Sequence, residues 1–214
     1  MNTIYRCFLI LGFVSLCFSC IPTKDNIVLN WYFPKCELSR DANKCNNGLL
    51  HEETDTVSRI LTVLKEPPVF CSVCDNNKEI YRFLWIRYLR NTVCIRLVID
   101  ADSSGMLYVK KTDNTGEEEP REINSSYAKT VSPEEINRFY EIILKSEFWE
   151  MSKKVILPVE YLDGEVWLLE GVRKGKYHYV YRMVPRDPAF RRAALYLVEI
   201  SGLQVDRKGD IRLP

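Results

Sequence analysis

Gly164-Glu165-Val166-Trp167-Leu168-Leu169-Glu170-Gly171-Val172-Arg173-Lys174-Gly175-Lys176-Tyr177-His178-Tyr179-Val180-Tyr181-Arg182-Met183-Val184-Pro185, residues 164–185, reads as a β-hairpin and decides the fold class. Its arms are rich in aromatic and β-branched residues, as strands are. Lys174-Gly175 between them suits a type I′ turn, which needs φ > 0 at both positions and favours glycine at the second. That turn pairs Arg173 with Lys176, Gly171 with His178, Leu169 with Val180 and Trp167 with Arg182. One face of the hairpin then carries Trp167, Leu169, Gly171, His178, Val180 and Arg182. The other carries Val166, Leu168, Glu170, Tyr177, Tyr179, Tyr181 and Met183.

Working outward, Asp187-Pro188 starts a helix whose inward residues are Phe190, Ala194, Leu197 and Ile200, with Gly202 at its end. The tail from Leu203 is expected to add an edge strand. Upstream, Ser132-Pro133-Glu134-Glu135 is a capping-box helix start, and Ile136, Phe139, Tyr140 and Ile143 follow on one face, with Phe148 and Trp149 packing beyond. Strands are expected at Tyr81–Leu89, Thr92–Asp100, Met106–Lys110 and Tyr127–Val131, with the acidic stretch 112–122 as a solvated loop. Val57, Ile60, Leu61 and Leu64 recur at helical spacing, capped by Thr54 or Asp55 and stopped by Pro67-Pro68. Together these predict an α+β domain: a twisted antiparallel sheet of about five to seven strands with the helices packed on one face.

The hairpin also resembles a family of uncharacterised bacterial proteins that share an Asp-Gly-x-x-Trp-x-Leu-Glu-Gly signature followed by Tyr-His and Arg. The matching residues are Asp163, Gly164, Trp167, Leu169, Glu170, Gly171, Gly175, Tyr177, His178, Val180, Arg182 and Pro185. The family is similar as well at residues 81–87, at Ser132-Pro133-Glu134-Glu135 and at Phe148-Trp149, so the likeness runs over roughly residues 78–203. Met183-Val184 departs from the Trp-Ser that the family favours there. The resemblance implies one compact domain and carries no mechanism.

Trp167, His178 and Arg182 share a face and form the candidate binding patch, with Trp167 and Arg182 expected to make a cross-strand cation–π pair. The enzymatic alternative is an envelope hydrolase using His178 with Glu170 or Asp163. Against it, Glu170 points to the opposite face from His178. The chain has two histidines, and no Gly-x-Ser-x-Gly elbow, zincin motif or phosphate-cradling glycine loop. No catalytic residue, cofactor or metal ligand is therefore assigned. Arg82, Arg87, Arg90 and Arg96 alternate with apolar residues and predict a solvated basic sheet face, the sharper alternative being a patch for an acidic partner.

The N-terminus bears on location. Arg6 is followed by an apolar run from Cys7 to Phe18 and then Ser19-Cys20, the layout of an export signal. Ser19-Cys20 resembles the lipobox of bacterial lipoproteins, although Cys17 stands where that motif usually has Leu. The resemblance implies a signal over 1–19, lipidation (palmitate among the acyl groups) at Cys20, a tether over 20–50 and a domain over 51–214. Ordinary cleavage after Ser19 and an uncleaved anchor are the alternatives. A single acyl chain binds membranes only marginally; the lipoprotein family carries a diacylglycerol and often a further N-acyl chain. Ile21 rather than Asp after the cysteine implies the outer membrane if the host is Gram-negative. Within the tether, the apolar patch 27–33 is expected to dock on the domain.

Exported proteins meet an oxidising compartment, so disulfides are expected, most simply Cys36 with Cys45 and Cys71 with Cys74. Cys94 lies in an apolar strand and is expected to stay a buried thiol. Cys71-Ser-Val-Cys74 lacks the βαβ setting of a redox motif, and the two pairs lack zinc-ribbon spacing. The chain has 30 Lys+Arg and 29 Asp+Glu, and without Arg6 the two balance. That argues against nucleic acid as a partner. The partners expected are the membrane, through the lipid anchor, and another envelope protein bound by a non-enzymatic interaction module, an immunity- or inhibitor-like role being one form.

Overall fold

The computed structural model describes residues 32–33, 51–87, 90–113, 122–155, 164–205 and 211–212, side chains 51–53 and 212 excepted. Four strands, β1 (Lys78–Ile86), β2 (Val93–Asp100), β3 (Gly105–Thr112) and β4 (Ile123–Val131), run as a meander. Helix α2 (Pro133–Lys145) follows, then the hairpin β5 (Val166–Arg173) and β6 (Lys176–Met183), then α3 (Pro188–Ser201). The strands form one six-stranded antiparallel sheet in the order β4-β3-β2-β1-β5-β6. β1 is therefore central: its two edges are taken by β2 and by the returning hairpin.

Sequence chemistry explains the boundaries. The hairpin pairs in the expected register, Trp167 opposite Arg182 and Gly171 opposite His178. Lys174 (φ 48°) and Gly175 (φ 72°) supply its turn. Ser132 accepts a hydrogen bond from the Glu135 amide while the Glu135 carboxylate accepts one from the Ser132 amide, the reciprocal capping box. Asp187 caps α3 and Gly202, in the left-handed region at φ 81°, ends it.

Alternation divides the sheet into two apolar faces. Tyr81, Phe83 and Trp85 of β1, with Ile95, Leu97, Leu107, Trp167, Leu169 and Val180, face Ile136, Phe139 and Ile143 of α2 and Phe190 and Leu197 of α3. Leu84, Cys94, Leu168, Tyr179 and Tyr181 point the other way. There they meet a first helix, α1 (His51–Val63), through Val57, Ile60, Leu61 and Leu64. The α+β class and the six strands agree with expectation. The placement of all helices on one face holds for α2 and α3 and fails for α1, because the alternate face of β1, β2 and β5 is apolar too. Helix α1 also begins at His51, so Thr54, fully buried, lies inside it rather than capping it.

Two further observations concern the ends, the first in line with expectation and the second not. Tyr32 and Phe33, part of the expected docking patch, are buried in the α1-side core, with Phe33 edge-on to Tyr179 at 5.9 Å. Among the described residues of the tail after Leu203, none extends the main sheet: β7 (Gln204–Val205) pairs with β8 (Ile211–Arg212) in a small sheet of their own.

Candidate functional site

The hairpin face that carries Trp167, His178 and Arg182 looks toward α3 and the 3-10 turn Phe148–Glu150. Gly171 is what admits that turn. A Cβ there would lie 3.0 Å from the Phe148 ring and 3.1 Å from Tyr81. The space it leaves lets Phe148 reach His178 edge-on at 5.1 Å, with Trp149 tilted over the imidazole at 6.2 Å. Burial pushes the His178 pKa down, and the Lys153 ammonium pushes the same way. Among the described residues, the imidazole meets aromatic rings, the cations Lys153 and Arg182, and the backbone of Met151 and Phe148, which hydrogen-bond it and oppose the downward shift. Asp163, the other carboxylate considered for it, lies outside the described residues.

The three residues share one face, as expected, yet Trp167 and Arg182 are not a stacked pair. The Arg182 guanidinium lies over the Phe190 ring at 5.7 Å and donates to the carbonyls of Ser152 (2.9 Å) and Lys153 (3.3 Å). Trp167 is 1% exposed, and the cation over its ring is Arg191, at 5.0 Å. The correction has a simple cause: α3 lays Phe190 and Arg191 across the hairpin between the two expected partners. Trp167 is thus a core residue, and only His178 and Arg182 of the patch are partly open to solvent.

The opposite face holds what the sequence pattern missed. Register places Glu170 beside Arg82 across β5 and β1, and Arg82 beside Arg96 across β1 and β2. Arg82 and Glu170 are both fully buried. Arg82 Nε donates to Glu170 Oε2 at 2.7 Å, with Nη2 2.5 Å from the same oxygen. The Tyr177 hydroxyl donates to Glu170 Oε1 at 2.9 Å, and Arg82 Nη1 donates to the Pro67 carbonyl at 2.7 Å. Glu66, on the turn after α1, descends onto the same row. It takes Arg96 Nε at 2.8 Å and Lys110 Nζ at 2.8 Å, with Arg82 Nη1 at 3.9 Å. Lys110 Nζ also donates to the carbonyls of Leu64 and Lys65, so it ties β3 to the end of α1.

This network replaces the solvated basic face expected of Arg82, Arg87, Arg90 and Arg96. Arg82 is sealed inside, Arg96 is held by Glu66 and stacked over Tyr108 at 4.4 Å, and Arg87 is buried with its Nε on the Asn91 carbonyl. Arg90 alone of the four is exposed. Burial pushes the Glu170 carboxyl up, and Arg82 opposes it. Burial also pushes the Tyr177 hydroxyl up, with the Glu170 charge adding to it. Such groups hold structure together; none of the network's fully buried members offers an atom to a solute.

Cys94 is a free, buried thiol on this face, as expected, and burial raises its pKa. Cys71 and Cys74 stand on the 3-10 segment Val69–Cys74, Cys71 half-buried and Cys74 exposed. Cys20, Cys36 and Cys45 lie outside the described residues, as do 1–31 and most of the acidic stretch 112–122. Among the described residues no three His, Cys, Asp or Glu side chains gather as a metal-binding group, and no helix is long and apolar enough to cross a membrane.

No protein-family model matches this chain, and no curated protein matches it. Function therefore rests on its own residues.

Proposed function

We propose that this chain is an envelope lipoprotein: Cys20 carries a lipid anchor, the segment after it is a spacer, and the α+β domain is a non-enzymatic interaction module for another envelope protein. An immunity- or inhibitor-like role is one concrete form. The observation that carries the localisation is Ser19-Cys20 behind Arg6 and the Cys7–Phe18 apolar run. The domain supports an interaction role over the hydrolase alternative through one geometric fact. His178 and Glu170 project from opposite faces of one hairpin, and Glu170 is already paired with Arg82 and hydrogen-bonded by Tyr177. Among the described residues no carboxylate orients His178 as a general base, its ring being held by the Phe148–Met151 backbone and flanked by aromatic rings and cations.

The test is incorporation of labelled palmitate in cells expressing the wild type and Cys20→Ser. Label on the wild type that disappears in the variant is expected. Equal labelling of the two sinks the lipid anchor.

A further inference from the structure

The seam between α2 and α3, on the outer side of the helical layer, is a second polar feature of the domain. It holds two neighbouring hollows of about 510 and 400 Å³ that share Arg138, Ile142, Pro188 and Arg192. Five cations line them: Arg138 and Lys145 of α2, Arg186 before α3, and Arg191 and Arg192 within it. Their acidic lining is Glu141 and Glu199 alone. In a chain with 30 basic and 29 acidic residues this is a local asymmetry that composition hides. Among the described residues three of these cations, Arg138, Arg191 and Arg192, make no salt bridge, Arg191 donating instead to the Pro185 carbonyl. The Arg138 guanidinium rests on the Tyr196 ring at 6.0 Å. The seam also carries apolar surface: Leu195 is 36% exposed on its wall, and Leu144, 78% exposed, follows on the outside of α2.

We infer that this seam is the partner-binding surface of the domain and that it takes an acidic protein segment bearing an apolar side chain. The inference rests on the interaction-module reading and names the chemistry of its partner. Opposite charges set into a partly apolar groove give both steering and register. The concavity selects the occupant. A membrane draws cations through the charge of its headgroup plane; the hollow between the two helices, with Leu195 on its wall, is filled by a protruding segment that brings an apolar side chain as well as negative charge. An inorganic anion would fill one cation pair and leave most of the hollow and Leu195 unused.

The full chain, purified in detergent and immobilised, is panned against a random dodecapeptide library displayed on phage. The expected binders are enriched in Asp and Glu with an interspersed Leu, Ile or Phe. A synthetic peptide of the selected sequence then binds Arg138→Glu/Arg192→Glu at least about tenfold more weakly, while Lys176→Glu on the far hairpin tip changes nothing. Both arginines are exposed on helix surfaces, so the fold is expected to persist. If the urea midpoint of the charge-reversed protein falls, Arg138→Gln/Arg192→Gln is used instead. Selected peptides without acidic enrichment, or with equal affinity for the double variant, overturn the seam while leaving an interaction module. Failure to select any binder overturns both. Sedimentation with phosphatidylglycerol vesicles that is lost in the double variant reassigns the seam to lipid. Cys20 labelling reads the anchor independently of all these outcomes.

Discussion

Glu170→Leu tests whether the buried row on the α1 side of the sheet is held by paired charge. The substitution leaves Arg82 fully buried and permanently charged, with the Pro67 carbonyl at 2.7 Å and Glu66 no closer than 3.9 Å. Breaking a buried pair from one side costs about 3–5 kcal/mol. The Tyr177 hydroxyl loses its acceptor as well, an orphaned buried donor worth about 1–3 kcal/mol. Glu66, 3.9 Å away, can shift toward Arg82 and recover part of the loss even though Arg96 and Lys110 also hold it, so the lower half of the combined range, about 4–6 kcal/mol, is expected. A domain is stable by only about 5–15 kcal/mol. In urea, with a slope of about 2 kcal/mol per molar, the midpoint then falls by roughly 2–3 M.

Arg82→Met is expected to be milder, because the charge it strands is removable. Burial already pushes the Glu170 carboxyl up, and without Arg82 the Tyr177 hydrogen bond is what still opposes that. A carboxyl whose folded pKa is raised binds its proton more tightly folded than unfolded, so stability falls as pH rises through the interval above the ordinary value of 4.5. The deficit of Arg82→Met therefore shrinks on acidification, whereas that of Glu170→Leu does not. Removing the three polar side chains at once, in Arg82→Met/Glu170→Leu/Tyr177→Phe, leaves the Pro67 carbonyl as the one network acceptor without its donor and restores the unfolding free energy to within about 1 kcal/mol of wild type. Single substitutions costing less than about 1 kcal/mol, or a triple variant as costly as the singles summed, refute the reasoning.

Other outcomes follow from the same contacts. Gly171→Ala places a methyl 3.0 Å from Phe148 and 3.1 Å from Tyr81 and is expected to cost about 1–3 kcal/mol in thermal or urea unfolding; an unchanged midpoint would show that the turn beneath it yields freely. Because burial lowers the His178 pKa, the unfolded chain binds a proton more readily below pH 6.5, and stability falls as pH falls through that window. His178→Gln is expected to make the urea midpoint less dependent on pH there, and an identical slope would exclude His178 as its source. Ser132→Ala removes the acceptor at the start of α2 and should cost about 1 kcal/mol, with Glu135→Ala on top of it adding less than it does alone.

The legible parts of this fold are those written by local rules. The Lys174-Gly175 turn sets the hairpin register, and Ser132-Pro133 and Asp187-Pro188 set two helix starts; all three recur in the structure as read. The tail failed for a physical reason: a short apolar run that reads as a strand does not say which edge it joins, and residues 204–205 found 211–212. The distribution of helices failed similarly. Amphipathic spacing gives α1 an apolar stripe and does not name the sheet face that receives it.

The candidate site divides along the same line, and the division explains why the charged residues misled. Arg82 stands between Tyr81 and Phe83, where strict alternation makes every second residue of a half-exposed strand polar and solvated. That inference requires one face of the sheet to be wet. β1 is central and is covered on both sides, a fact set by the pairing of β1 with β5 across 88 residues of sequence and by α1 closing from before β1. Once both faces are covered, a charge at Arg82 is admissible only if another strand supplies its partner on the same rung. Glu170 does so, and it sat in plain view as the lone acidic residue among aromatic neighbours on its hairpin face. The usable signal was therefore a pair of opposite exceptions: one cation in an apolar strand and one anion in another, each anomalous alone. The cations of the α2–α3 seam break no such rule. They lie on the polar faces of amphipathic helices, where sequence expects them, and only the packing of α2 against α3 gathers them into a groove.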